Sequence, residues 1–159
     1  MIKKFFFITL LFIPFLISQN VSPNLKLTKM NGRTVTLGEY LTKGPVLINF
    51  WATWCSPCKK ELNTINEVYQ DWQDETGVTL VAVSIDDSKT KNNVPVYVNG
   101  KGWEYMVLLD PNGDLKRAMG VNNVPHTFLV NTNGKIVYSH NNYAPGDEDL
   151  LYDEILNLK

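Results

Sequence analysis

The chain's two cysteines lie three positions apart, in the stretch Trp54-Cys55-Ser56-Pro57-Cys58. Two thiols at this spacing can interconvert between a dithiol and a disulfide, since the first attacks a partner disulfide and the second attacks the resulting mixed disulfide. A helix that begins at the first thiol stabilises its thiolate, because a helix N-terminus carries unpaired N–H groups and partial positive charge. The motif therefore predicts Cys55 as an exposed nucleophile and Cys58 as the resolving cysteine.

Other uses of two cysteines fit this pattern less well. A structural disulfide more usually joins distant segments and closes a long loop. A zinc site needs about four ligands, and besides the two cysteines the chain offers His126 and His140. We therefore expect a redox pair with no bound metal and no cofactor. Copper binding by Cys55, Cys58 and His126 is a remaining alternative, because thiolates and imidazole suit copper.

A buried strand is predicted before the cysteine pair and an amphipathic helix after it. Residues 45–51 (PVLINFW) form a continuous apolar run of strand length, typical of a central strand covered on both faces. From Cys55 onward apolar residues recur at helical spacing, until Gly77 ends the helix. We expect Trp51 to be a core residue and Trp54 to lie beside the disulfide.

The rest of the chain alternates between strands and helices. Strands are predicted at residues 78–85, 106–109, 126–130 and 135–139, with a short helix at 115–119 and a closing amphipathic helix at 147–158. An Asn31-Gly32 turn predicts a hairpin or extended arm before the central strand. The polar segment 86–102 contains Pro95, so any helix there should be short or irregular. This order predicts an α/β fold, with helices flanking a mixed sheet.

Composition excludes several classes of protein. A hydrophobic content of 44% argues against disorder, and two cysteines are too few for a small domain held together by disulfides. The 15 basic and 16 acidic residues give a net charge of -1, so we expect no nucleic-acid partner. No break in composition divides residues 19–159, which predicts one domain.

Residues 1–18 have the pattern of a secretory signal peptide. Lys3 and Lys4 precede an apolar stretch at 5–17 that is short for a membrane span, and Ser18 is a plausible cleavage point. A retained N-terminal anchor is the alternative, and it would be the domain's only membrane contact. In both cases we expect the domain to be exported to the periplasm or the outer face of the membrane, where conditions are oxidising.

The residues around the cysteines resemble the active-site stretch of thioredoxin-like proteins. Residues 46–62 (VLINFWATWCSPCKKEL) are similar to the exported TlpA/ResA branch, and residues 124–130 (VPHTFLV) followed by 133–137 (NGKIV) resemble the family's second motif. The resemblance spans about residues 25–158. It implies a thioredoxin-like fold with an N-terminal hairpin extension and a central insertion at 86–102.

The resemblance also implies roles for single residues. Pro125 would be a cis-proline against the Cys55–Cys58 disulfide, and the backbone of Val124 would pair with the substrate chain. Asn49 occupies the position where thioredoxin has a buried aspartate for proton transfer, and an amide cannot act as that base. Glu61 is then the candidate base, with a solvated helix glutamate beside two lysines as the alternative.

The two histidines receive different expectations. His126 follows the proline at a position where the family more often has a small residue with a hydroxyl group. It could stabilise the Cys55 thiolate or recognise a partner, or it could be an ordinary surface histidine. We expect no role for His140.

The function implied by the resemblance is that of a thiol:disulfide oxidoreductase. It would reduce disulfides of exported proteins, apocytochrome c among the candidates, and a membrane thiol donor would re-reduce it. A disulfide-forming oxidase with the same residues is the main alternative, since direction depends on the reduction potential. A peroxidase of the peroxiredoxin kind is disfavoured, because no Thr-x-x-Cys element precedes the helix.

Overall fold

A mixed sheet runs through the computed structural model, which describes residues 20–41 and 43–158. Within these residues seven strands pair in the order β2-β1-β5-β4-β3-β6-β7. They are β1 (Lys26–Lys29), β2 (Thr34–Thr36), β3 (Val46–Trp51), β4 (Thr79–Ser84), β5 (Met106–Leu109), β6 (His126–Val130) and β7 (Ile136–Asn141). The same residues contain five helices, namely α1 (Gly38–Leu41), α2 (Ser56–Thr76), α3 (Asn93–Lys101), α4 (Asp114–Ala118) and α5 (Asp147–Leu156).

Strand β3 is the central strand that the apolar run predicted. All six of its residues are buried, and it pairs parallel with β4 and antiparallel with β6. Successive side chains of a strand point to opposite faces of the sheet. Leu47 and Trp51 therefore join a core with α2, α3 and α5, whereas Ile48 and Phe50 join a second core with α1 and α4.

Helix α2 begins directly after Cys55 and ends at Gly77, as predicted. Cys55 is its N-cap residue, and the Cys55 Sγ accepts a hydrogen bond from the Cys58 N–H at 3.3 Å. Pro57 lies in the first turn, where its missing N–H costs no helical hydrogen bond. Gly77 ends the helix in the left-handed conformation, with φ 70°, which a residue without a Cβ adopts most readily.

The N-terminal hairpin and the central insertion are both present. Strands β1 and β2 pair antiparallel around the Asn31-Gly32 turn, and β1 also pairs with β5, so the extension joins the main sheet. The insertion contains α3, a short helix that includes Pro95 in its first turn, where proline is tolerated. Helix α1 was not predicted, because its four residues are too few to show a helical period.

One difference in strand boundaries bears on function. The strand predicted at 135–139 runs instead from Ile136 to Asn141, because pairing with β6 continues to the His126–Asn141 pair. His140 is therefore part of the sheet rather than of the loop that follows it. The predicted leader at 1–18 lies outside the described residues. Between residues 20 and 158, residue 42 excepted, no helix has the length and apolar character required to cross a bilayer.

Candidate active site

The cysteine pair forms a disulfide at the N-terminus of α2. Cys55 and Cys58 are bonded, with their Cα atoms 5.4 Å apart. Cys58 is fully buried and Cys55 is 5% exposed. The expectation of an openly exposed Cys55 is therefore wrong for the disulfide form, because the bond and the cap geometry hold its sulfur against the core. Cys55 is still the more accessible of the two.

The two tryptophans beside the pair lie in different surroundings. Trp51 is completely buried and packs against Trp103 and Tyr97, with ring centroids 4.8 and 5.9 Å away, which confirms the prediction that it is a core residue. Trp54 is 62% exposed. It lines an open groove of about 470 Å³ together with Val124, Lys116 and other residues. The groove brings together Trp54 and Val124, both predicted to contact substrate.

Pro125 stands at the start of β6, and the peptide bond between Val124 and Pro125 is cis, as the resemblance implied. Strand β6 is the antiparallel neighbour of β3, and His126 pairs with Phe50 near the end of β3. The Pro125 segment and the turn that carries Cys55 thus lie at the same edge of the sheet. The carbonyl of Pro125 accepts a hydrogen bond from the Asn142 N–H at 2.9 Å, which ties this segment to the end of β7.

Glu61 is a buried carboxyl group one helical turn after Cys58. It is 4% exposed, so the alternative of a solvated glutamate is wrong. Residues three apart share one face of a helix, and Glu61 therefore lies on the same inward side of α2 as Cys58. Its oxygens accept hydrogen bonds from Asn49 Nδ2 at 2.9 Å and from Thr127 Oγ1 at 2.8 Å.

Burial raises the pKa of Glu61 from its usual 4.5 to about 7, even though the hydrogen bonds from Thr127 and Asn49 lower it. Desolvation disfavours the charged form of a carboxyl group. A pKa near neutral lets the same group accept a proton and release it at physiological pH. Glu61 thus lies on the same buried face of α2 as Cys58, with a proton affinity that suits an acid–base group.

His126 lies on the other face of the sheet from Glu61. Its ring stacks on Phe128 at 4.1 Å, and Nε2 is 2.9 Å from Ser139 Oγ. Burial lowers the pKa of His126, which favours the neutral ring at neutral pH. A neutral imidazole offers less stabilisation to a thiolate than an imidazolium, and His126 is not among the residues that line the Trp54 groove.

Comparisons with known proteins identify the family. Residues 19–139 match the sequence model of the AhpC/TSA family. The chain belongs to the AhpC/TSA family.

The most similar curated relatives include thiol-disulfide oxidoreductases named ResA. The protein from Geobacillus thermodenitrificans is 35% identical over 117 residues, which are 74% of this chain and 65% of the relative. The protein from Bacillus subtilis is 37% identical over 116 residues, 73% of this chain and 63% of the relative. The matched region therefore spans just under two thirds of the length of these relatives.

Solved structures confirm the fold. A thioredoxin-like protein from Porphyromonas gingivalis is 46% identical, with a TM-score of 0.76 and coverage of 89% of this chain and 93% of that chain. The thioredoxin domain of a thiol-disulfide oxidoreductase from Bacteroides vulgatus superposes with a TM-score of 0.70 at 22% identity, over 87% and 96% of the two chains. The predicted thioredoxin-like α/β fold is thus confirmed.

Sequence reasoning missed Thr127. Asn49 and Thr127 are directly opposite in the β3–β6 register, and Asn49 Nδ2 also donates to Thr127 Oγ1 at 2.7 Å. The three side chains of Glu61, Asn49 and Thr127 therefore form one buried network in this family member. The available signal was a polar residue at an inward position in each of two largely apolar strands, β3 and β6.

The copper alternative requires three ligands close together. Among residues 20–41 and 43–158, no three His, Cys, Asp or Glu side chains are grouped so that they could hold a metal ion. His126 contacts Ser139 and Phe128 instead.

Proposed function

We propose that this protein is a thiol:disulfide oxidoreductase that reduces disulfide bonds in exported proteins. The observation that carries the proposal is the Cys55–Cys58 disulfide at the N-terminus of α2, with the buried carboxyl group of Glu61 one turn after Cys58. A structural disulfide has no use for a buried carboxyl group on the same helix face as its second cysteine, whereas the thiol of a resolving cysteine must lose its proton to a base. The names of the ResA relatives support thiol-disulfide oxidoreductase activity, without giving its direction.

The reaction begins with the reduced protein. The Cys55 thiolate, stabilised by the α2 N-terminus, attacks one sulfur of the partner disulfide and releases the other as a thiolate. Glu61 then takes the proton of the Cys58 thiol. The Cys58 thiolate attacks Cys55 Sγ, so the Cys55–Cys58 disulfide forms as the mixed disulfide breaks, and the second partner sulfur leaves as a thiolate. Two electrons pass from the dithiol to the partner.

The partner would lie across the groove beside the disulfide. Trp54 offers an exposed aromatic surface, and Val124, which precedes Pro125, lines the same groove. We expect the backbone of Val124 to pair with the partner chain. His126 remains a proposed partner contact, reached only by a chain that extends past Pro125.

The predicted leader supports the proposed location of the protein and the proposed source of its electrons. A signal peptide or anchor at residues 1–18 would place the domain in the periplasm or on the outer face of the membrane. In that oxidising compartment a reductant needs a supply of electrons, for which a membrane thiol donor is the natural source. Disulfides in apocytochrome c are one proposed substrate; the opposite direction, disulfide formation, is the competing function.

The redox state of the cysteines in intact cells tests the direction. Rapid acid quenching followed by a mass-tagged thiol reagent should find Cys55 and Cys58 mostly reduced. Reduced protein should also reduce a disulfide-bonded Cys-x-x-Cys-His peptide, which carries the haem-attachment motif. A mostly oxidised pair that introduces disulfides into the reduced peptide would overturn the proposed direction.

Two cysteine variants test the roles of the sulfurs. Cys55→Ser should abolish reduction of the peptide, and Cys58→Ser should accumulate a mixed disulfide through Cys55 because nothing resolves it. Turnover by Cys55→Ser would contradict the activity itself. Absence of trapped complexes in Cys58→Ser would contradict the resolving role of Cys58.

A further inference from the structure

A small cavity is lined by Glu61 together with residues of β6, β7 and α5. Its volume is about 10 Å³, about the space that one water molecule needs. Its polar lining includes Glu61 of α2, Thr127 of β6, His140 of β7, and Asp147 and Glu148 of α5. A water molecule there would have several polar partners, as buried waters in proteins usually do.

His140 and Asp147 connect this cavity to solvent. His140 Nε2 lies 3.1 Å from Asp147 Oδ2, and the two side chains are 33% and 24% exposed. In the β6–β7 register His140 is directly opposite Thr127, whose hydroxyl donates to Glu61. The sheet thus places the imidazole beside the partner of Glu61, with one side toward the cavity and another toward water.

Glu61 needs such a connection if it is the base for Cys58. Each cycle loads it with one proton, which must leave before the next cycle can begin. Glu61 is 4% exposed, so direct proton exchange between its carboxyl group and bulk water is restricted. Histidine is the side chain best suited to accept and release a proton near neutral pH.

We propose that His140, held by Asp147, carries protons between Glu61 and solvent through one water molecule in this cavity. The protonated Glu61 gives its proton to the water, which passes a proton to the neutral imidazole. The Asp147 carboxylate stabilises the imidazolium, which then releases the proton to bulk water. The assignment rests on the proposed role of Glu61, and it reverses the expectation that His140 has no role.

Other polar and charged groups lie near this proton path, and the control variants must separate their effects from that of His140. Glu148 accepts a hydrogen bond from the Tyr143 hydroxyl, Tyr138 stacks beside the His140 ring, and His126 lies on the opposite sheet face. The charge of His140 lowers the pKa of Glu61, and that of Asp147 raises it. If His140 and Asp147 act on Glu61 only through their charges, His140→Gln and Asp147→Asn should shift the Glu61 pKa in opposite directions. The rate of proton exchange at Glu61 should then stay unchanged.

Carboxyl NMR of the folded protein measures the exchange rate directly. In protein labelled with ¹³C at glutamate carboxyls, the line shape of the Glu61 signal through its titration reports how fast it gains and loses a proton, and Glu61→Gln assigns that signal. We expect His140→Gln to slow exchange about tenfold, short of the 10²–10⁴-fold typical of direct acid–base groups. Added imidazole buffer should restore the rate.

Matched variants keep the test decisive. His126→Gln, at the other histidine on the opposite face of the same strand pair, should leave Glu61 exchange at the wild-type rate. Asp147→Asn can still hold the His140 ring by a hydrogen bond, so it should slow proton exchange at Glu61 to a lesser degree. This variant replaces His140→Gln in the test if the latter does not fold. Wild-type exchange in the folded variants would overturn the relay. The measurement uses no disulfide substrate, so a wild-type protein that reduces nothing would instead overturn the proposed function alone.

Discussion

Two buried carboxyl groups lie near the cysteine pair and are held by different hydrogen bonds. Asp86 contacts the segment before the pair, and Glu61 belongs to the helix after it. Asp86, just after β4, accepts hydrogen bonds from the Thr53 N–H at 2.8 Å, the Thr53 hydroxyl at 2.6 Å and the Ser84 hydroxyl at 2.8 Å. Glu61 accepts two, both from neutral side chains. Asp86 thus fixes the turn that leads into Cys55. Glu61, one helical turn after Cys58, accepts fewer hydrogen bonds than Asp86 does.

The two buried sites differ in whether all of their hydrogen-bond donors can change roles. One donor to Asp86 is a backbone N–H, which can never become an acceptor. The donors to Glu61 can change roles, because the Thr127 hydroxyl can rotate and the Asn49 amide can turn over. The Asn49 Oδ1 has no hydrogen-bond partner among the described residues. The site can therefore hold Glu61 with or without its proton.

The largest expected effect is on the chemistry at Cys58. Glu61→Gln should slow resolution of a preformed Cys55 mixed disulfide by about 10²–10⁴-fold, the usual contribution of a general base. In the wild type the rate should rise with pH around the Glu61 pKa of about 7, because only the ionised carboxyl accepts the proton. Stopped-flow measurements from pH 5 to pH 9 check both statements.

The matched change Asp86→Asn should leave the midpoint of that pH profile in place. An inflection near pH 7 that survives in Glu61→Gln would contradict the role of Glu61.

The second effect is on the pH dependence of stability. The folded-state pKa of Glu61 is raised from 4.5 to about 7, so the folded state holds a proton that the unfolded state has lost between these values. The contribution is fully present below pH 4.5 and is lost as pH rises through 7, a fall of about 3 kcal/mol at 1.36 kcal/mol per pKa unit. Urea unfolding of the oxidised protein at pH 4.5 and pH 8 measures it.

Glu61→Gln is the control for this fall, since an amide does not titrate. The difference in unfolding free energy between the variant and the wild type should shift in the variant's favour as pH rises. A pH-independent difference would show that Glu61 is not protonated in the folded protein near neutral pH.

The substitution of Asp86 is expected to change stability by a smaller amount, and in the opposite direction to Glu61→Gln at high pH. Asp86→Asn should destabilise the fold by about 2 kcal/mol at pH 8, because hydrogen bonds to a charged acceptor are replaced by weaker ones. Chemical denaturation measures the change. Equal effects of the two acid-to-amide substitutions on stability at pH 8 would remove the distinction between the two carboxyl groups.

The smallest effect should come from Thr127→Val. The variant removes two hydrogen bonds of the hydroxyl, the one donated to Glu61 and the one accepted from Asn49, at a cost of about 0.5–1 kcal/mol each. The Thr127 hydroxyl lowers the pKa of Glu61, so its loss should move the midpoint of the resolution rate to higher pH. Thr127→Ser, which keeps the hydroxyl, should retain the wild-type midpoint. A midpoint that moves down in Thr127→Val would contradict the network.

Much of the site was predictable from the cysteine spacing and the two family motifs. The N-cap position of Cys55, the helix to Gly77 and the cis bond at Pro125 agree with the structure. Glu61 was a candidate with a solvated alternative, because a glutamate beside lysines on a helix is usually on the surface. Thr127 and His140 were not selected, since nothing in their local sequence indicates that they lie near Glu61.

The sequence by itself determined the redox chemistry and the elements that carry it. Those features depend on short-range patterns, such as the cysteine spacing, the apolar run of β3 and the helical period of α2. Tertiary structure alone decided which polar groups surround Glu61. The β3–β6 and β6–β7 registers bring Asn49, Thr127 and His140 to one side of the sheet, although they are far apart in the chain. Burial at that meeting point sets the pKa of Glu61, because desolvation depends on the packing of several elements at once.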